Sequence, residues 1–118
     1  MKIKELIDKS YINAVERGFY DRQNSVIGKM KALSCFTEED IEYVKLLYKT
    51  TKIMLIVTEL SEAVENLRLG KPEGEEIGDT IVRIGDYCGR EGIDLEGQLE
   101  HVMKTNKERP RLHGGKKF

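Results

Sequence analysis

The stretch IMLIVTELSEAVENL, residues Ile53–Leu67, decides the fold. On a helical wheel of about 100° per residue, Ile53, Ile56, Val57, Leu60, Val64 and Leu67 fall within about 60° of Leu60. That single apolar stripe predicts a helix with Leu60 at the centre of its core face. Glu59 and Glu62 lie one turn apart on another flank with Asn66, beside Leu55 and Ala63. An acidic pair in the most apolar run of the chain loses solvation unless something positive compensates it, and a bound cation is one such partner.

Upstream, no Pro or Gly interrupts Ile41 to Leu69, which permits one very long helix and leaves open a break near Thr50 and Thr51. Thr37 before Glu38, Glu39 and Asp40 resembles a capping arrangement, with acids where they favour the helix dipole. Residues 3 to 17 carry Ile3, Leu6, Ile7, Tyr11, Ala14 and Val15 at helical spacing, with Gly18 as a C-cap. From Asp21 to Phe36 the periodicity blurs around Asn24, Ser25, Gly28 and Ser34, and supports at most a short helix near Val26 to Leu33. Downstream, Gly70, Lys71 and Pro72 end the long helix. Residues 73 to 91 form the next, with Ile77, Ile81, Ile84 and Cys88 on one side and Gly92 closing it. Asp94 is an N-cap for a last helix carrying Leu95, Leu99, Val102 and Met103, which ends before Pro110. No strand-like alternation or internal repeat is present. The expected fold is all-α, a four- or five-helix bundle in one domain spanning residues 1–118.

Composition bounds the function. Charged residues reach 35% and Trp is absent, so the core is thin. Twenty Lys and Arg against twenty-one Asp and Glu give a net charge of −1, which offers no field for steering onto nucleic acid. Positive charge concentrates at the end, where residues 109–118 form a basic tail. No apolar stretch is long enough to span a bilayer, and the N-terminus lacks an apolar signal core. The expectation is a cytoplasmic protein without membrane partners. Cys35 and Cys88 have no close spacing and read as ordinary thiols, Cys88 in the core. His101 and His113 have no second His or Cys to make a zinc site. No glycine-rich phosphate loop is present.

The helix after the turn repeats the two-faced pattern, since Glu76, Asp79, Arg83, Asp86 and Arg90 lie opposite its apolar side. If the two helices form an antiparallel hairpin, Glu59 and Glu62 would face Glu76 and Asp79. Hard oxygen donors in that number suit Mg²⁺ or Mn²⁺, and without a cation their repulsion raises some of their pKa values. In a chain with twenty-one acids such spacings also arise by chance as solvated surface. Asp86 reads as an outer ligand, as an orienting group for Arg83 or Arg90, or, more simply, as a surface ion pair. Gly78, Gly85 and Gly89 share one side of this helix at a propensity cost of about 1 kcal/mol each. Either another helix crosses closely there or the glycines are merely tolerated.

Taken together, Glu59-Leu-Ser-Glu62 followed by Glu75-Glu76-Ile-Gly-Asp79 resembles the E-x-x-E…E-x-x-D signature of the MazG-like nucleotide pyrophosphohydrolases, an all-helical family. The apolar lead-in Met54–Thr58, the run Ile81 to Leu95, and Asn106-Lys-Glu-Arg-Pro110 with its basic tail are similar as well. The likeness covers about residues 53 to 118, with Asn13 to Tyr20 as a weaker upstream echo. It implies Mg²⁺-dependent hydrolysis of a nucleoside triphosphate to a monophosphate and pyrophosphate, with Glu59, Glu62, Glu76 and Asp79 as metal ligands. Mn²⁺ is an acceptable substitute. Mg²⁺ would neutralise the triphosphate and lower the pKa of a bound water, and one of the carboxylates would take its proton. Asn106 and Arg109 match positions near the substrate, Arg109 suiting phosphate oxygens through its planar fork. Val102 stands where relatives commonly have Lys, a departure that leaves substrate preference open. Phe19 and Tyr20 are either stacking residues for a base or core packing.

Two other readings follow from the same residues: a catalytically silent helical module for oligomerisation or nucleotide binding, and a nucleic-acid binder acting through the tail, which the acidic body disfavours. Two helices with one apolar face each cannot bury both alone, so a homodimer or homotetramer is expected.

Overall fold

A computed structural model, describing residues 1–111 and 117, contains five helices and, among those residues, no strand. They are α1 (Ile3–Glu16), α2 (Asp21–Ala32), α3 (Glu38–Arg68), α4 (Gly74–Glu91) and α5 (Leu95–Glu108). The all-α expectation holds. Thr37 starts α3 with a complete capping box: its hydroxyl accepts the Asp40 N–H at 3.1 Å, and the Asp40 carboxylate accepts the Thr37 N–H at 2.8 Å. α3 then runs 31 residues unbroken through Thr50 and Thr51, whose hydroxyls donate to the Leu46 and Leu47 carbonyls. Gly70 and Gly92 end α3 and α4 at positive φ, +70° and +64°, which a glycine adopts without a Cβ clash. Asp94 caps α5 by accepting the Gly97 N–H at 3.1 Å.

The segment with blurred periodicity is a full helix, α2, rather than a short one near Val26. Met30 is its buried anchor, and Asn24 accepts a hydrogen bond from Arg90 far along the chain. Packing, not local propensity, holds it.

α3 and α4 form an antiparallel hairpin. Lys49 meets Glu91, Glu59 meets Arg83, and the Asn66 amide donates to the Pro72 carbonyl, so residue numbers fall on α4 as they rise on α3. α1 packs on the other side of α4. A Cβ added at Gly89 would lie 2.5 Å from Tyr11 Cβ, and one at Gly85 would lie 3.0 Å from Ser10 Oγ. These two glycines permit the close crossing, whereas a Cβ at Gly78 meets nothing within 4 Å.

The orientation of α3 reverses the expected one. Ile53, Val57, Leu60, Val64 and Leu67 are 47%, 44%, 43%, 57% and 58% exposed, and only Ile56 of the predicted core stripe is half-buried. The inward side carries Lys52, Ile56, Glu59, Ala63 and Asn66. α4 behaves alike at its start: Ile77 and Ile81 are exposed, while Asp86 on the ionic side is buried. A wheel identifies faces but not which face meets the neighbour: α1 packs through the side its spacing predicts, with Leu6, Ile7, Tyr11 and Ala14 turned inward beside Ser10, whereas α3 turns its polar flank to α4. The chain is correspondingly extended. Its radius of gyration is 18.1 Å, against about 13–14 Å for a compact chain of this length. Its surface of 9378 Å² likewise exceeds the roughly 6600 Å² of a compact monomer of this mass.

Candidate functional site

Because α3 turns Glu59 inward, this carboxylate is 8% exposed, and its charge must be met. Arg83, from the facing turn of α4, meets it: Nε donates to Glu59 Oε1 at 2.5 Å. Both residues wall a cavity of about 240 Å³ together with Asp79, Asp86, Asn13 and Phe19. Two of the four sequence-predicted carboxylates, Glu59 and Asp79, therefore reach one cavity from two helices. Glu62 lies one turn further along α3 and is exposed. The charge of Glu59 raises its pKa above the usual carboxylate range, with burial, a hydrogen bond to Glu59 and the charge of Glu76 adding to the effect. Glu59, Glu62 and Glu76 thus share one negative field, and Glu76 is half-buried at the start of α4. Among the described residues, no three acidic, histidine or cysteine side chains are arranged to hold a metal ion, and the Arg83 guanidinium engages Glu59. Carboxylate oxygens of this kind are the donors that a hard divalent cation takes.

Behind the cavity lies a cluster that sequence reasoning missed. Tyr20 is 1% exposed, and its hydroxyl donates to Asp86 Oδ1 at 2.6 Å, so Asp86 is a buried acceptor and not a surface ion pair. Burial and the adjacent Asp86 charge drive the Tyr20 phenol far above its ordinary value. Two cations lie over the Tyr20 ring, Lys52 Nζ at 4.3 Å and the Arg90 guanidinium at 4.5 Å from its centroid. Tyr11 packs edge-on against it at 5.7 Å. Burial lowers the Lys52 pKa, opposed by Asp86 and reinforced by Arg83 and Arg90. Sixty-six residues separate Tyr20 from Asp86, and no local pattern signals such a pair. Its neighbour Phe19 is 62% exposed, so the two aromatic residues separate into one core residue and one on the cavity wall.

Asn106 lies on α5 and Arg109 just after it; both are exposed and neither lines this cavity. Cys35 is exposed and Cys88 buried, both as free thiols. His113 and most of the basic tail from 109 to 118 lie outside the described residues. No helix among the described residues is long and apolar enough to cross a membrane. Set beside known proteins, the chain matches no family model, no curated protein and no solved structure.

Proposed function

We propose that this chain is a MazG-like nucleoside triphosphate pyrophosphohydrolase that works in the cytoplasm as a homo-oligomer. The observation that carries the reading is the arrival of Glu59 and Asp79, from two antiparallel helices, at one cavity that also presents Arg83, Asn13 and Phe19. Glu62 and Glu76 adjoin it through the field they share with Glu59. In this reading Glu59, Glu62, Glu76 and Asp79 hold Mg²⁺, or Mn²⁺ in its place, and Arg83 gives up Glu59 to make room. Bound there, the cation supplies charge stabilisation for phosphoryl chemistry. Arg83, once released, is the cavity's own fork for phosphate oxygens. Exposed Phe19 offers a face to a base, while Asn106 and Arg109 remain the substrate contacts that the resemblance implies.

Self-association follows from the outward stripe. Ile53, Val57, Leu60, Val64 and Leu67 repeat at intervals of four, three, four and three, the spacing of a coiled-coil seam. A second copy of α3 covers such a seam, whether in a dimer or a tetramer. The surface beyond that of a compact monomer exceeds the ~800 Å² per partner that a stable interface takes.

One observation favours the catalytically silent module instead: Arg83 already satisfies the most buried carboxylate. The discriminating experiment measures pyrophosphate release from a panel of ribo- and deoxyribonucleoside triphosphates with Mg²⁺, with EDTA, and with Glu59→Gln and Asp79→Asn. Metal-dependent release lost in both variants supports the hydrolase. A folded, oligomeric sample that releases none from any substrate supports the module.

A further inference from the structure

A second and larger depression, about 740 Å³, lies between α2, α3 and the end of α4, and none of the four carboxylates discussed above lines it. Its walls carry Lys31, Lys45, Lys49 and Arg90 against Glu42 and Glu91. Four cations against two acids reverse the sign of a chain whose net charge is −1.

The two acids do not cancel this field. Glu42 meets Lys45 at 3.2 Å in a pair open to solvent, an arrangement that contributes little and yields readily to a stronger anion, and half-buried Glu91 meets Lys49, also at 3.2 Å. Among the described residues Lys31 forms no ion pair. Arg90 is the most informative member. Its guanidinium is fixed entirely by uncharged partners: it donates to Asn24 Oδ1 and to the Tyr11 hydroxyl, and lies over the Tyr20 ring. No carboxylate within ion-pair distance neutralises it among the described residues. A planar cation oriented in advance by neutral groups, at the wall of an open groove, is a preformed fork for phosphate oxygens.

The groove also has an apolar side, formed by Ile27 and Leu46. Its volume falls within the roughly 300–1,000 Å³ of small-ligand sites. We propose that this groove binds a nucleotide, with phosphates on Lys31, Lys49 and Arg90 and the nucleoside against Ile27 and Leu46. The site is separate from the carboxylate cavity, needs no metal, and stands whether or not the chain is a pyrophosphohydrolase.

The test is calorimetric titration of the full chain in EDTA with adenosine triphosphate and with inorganic tripolyphosphate, using wild type, Lys31→Ala/Lys49→Ala and Glu59→Gln/Asp79→Asn. Lys31 and Lys49 are exposed on their helices, and circular dichroism of the variant is the check that the fold stays in place. The expected result is saturable binding of the nucleotide, tighter than that of tripolyphosphate. It is weakened at least tenfold in the lysine variant and kept in the carboxylate variant. Four outcomes overturn the proposal: no saturable binding to wild type, affinity unchanged in the lysine variant, binding lost in the carboxylate variant, or equal affinity for the two probes.

Discussion

Replacing Gly89 with Ala puts a methyl group into the tightest contact of the fold. The new Cβ would lie 2.5 Å from Tyr11 Cβ, 3.0 Å from Cγ and 3.2 Å from Cδ2. Tyr11 Cβ is bonded to the α1 backbone, so no side-chain rotation clears it, and the two helices must separate by roughly 1 Å. Overpacking of this kind costs about 1–3 kcal/mol, while Ala returns about 1 kcal/mol of helix propensity. The same substitution at Gly78 meets nothing within 4 Å and gains the propensity alone. The propensity term cancels between the two variants, so Gly78→Ala should exceed Gly89→Ala in stability by the overpacking cost, about 1–3 kcal/mol. Gly85→Ala should fall between them, because its nearest neighbour, Ser10 Oγ at 3.0 Å, is able to rotate away. Urea unfolding at one fixed chain concentration, with the oligomeric state checked for each variant, measures the series. Equal stabilisation by Gly78→Ala and Gly89→Ala would refute the close crossing of α1 and α4.

Tyr20→Phe keeps the ring near Lys52 and Arg90 but removes the donor to buried Asp86, and should cost about 1–3 kcal/mol in urea unfolding; a neutral result would mean that Asp86 is solvated. The Glu62 carboxyl has a folded pKa above its unfolded value, so its ionisation opposes folding at neutral pH, and that penalty fades as pH falls below the folded pKa toward the unfolded one. Carboxyl chemical shifts across a pH titration should show the Glu62 midpoint falling in Glu76→Gln, and an unmoved midpoint would separate the two acids. Leu60→Asp places a charge at the centre of the apolar seam, and light scattering should then report a single chain where wild type reports an oligomer.

Helix ends were the most legible part of the sequence because their causes are local. Thr37 and Asp40 are three residues apart and cap α3; Asp94 caps α5; Gly92 closes α4 at a φ that suits it. α2 was obscured because Asn24, Ser25 and Gly28 weaken its propensity while its anchors, Met30 in the core and Asn24 on Arg90, act through distant neighbours. The candidate site divides in the same way. Spacing identified Glu59, Glu62, Glu76 and Asp79, but pairing Glu59 with Arg83 depends on a hairpin register that closes over 24 residues. The Tyr20 and Asp86 pair depends on α1 and α4 being docked, which no window of sequence contains.

The reversed orientation of α3 joins these observations. Glu59 and Leu60 are adjacent, yet one is 8% exposed and the other 43%. Had Leu60 faced α4, Glu59 would have been solvated and Arg83 left without its partner, and the apolar stripes of α3 and α4 would have formed an ordinary core. Instead Glu59 is inside, where charge is costly unless met by Arg83 or a further cation, while Glu62 and Asp79 stay exposed, and the apolar stripe is outside, where water disfavours it. Each half is unfavourable for an isolated chain, and each is relieved by binding: the inner half by cations, the outer half by a second copy. In the proposed oligomer the two are mechanically linked. The 15-residue stretch that forms the seam also carries Glu59, so covering Leu60 fixes the helix that presents this carboxylate to the cavity.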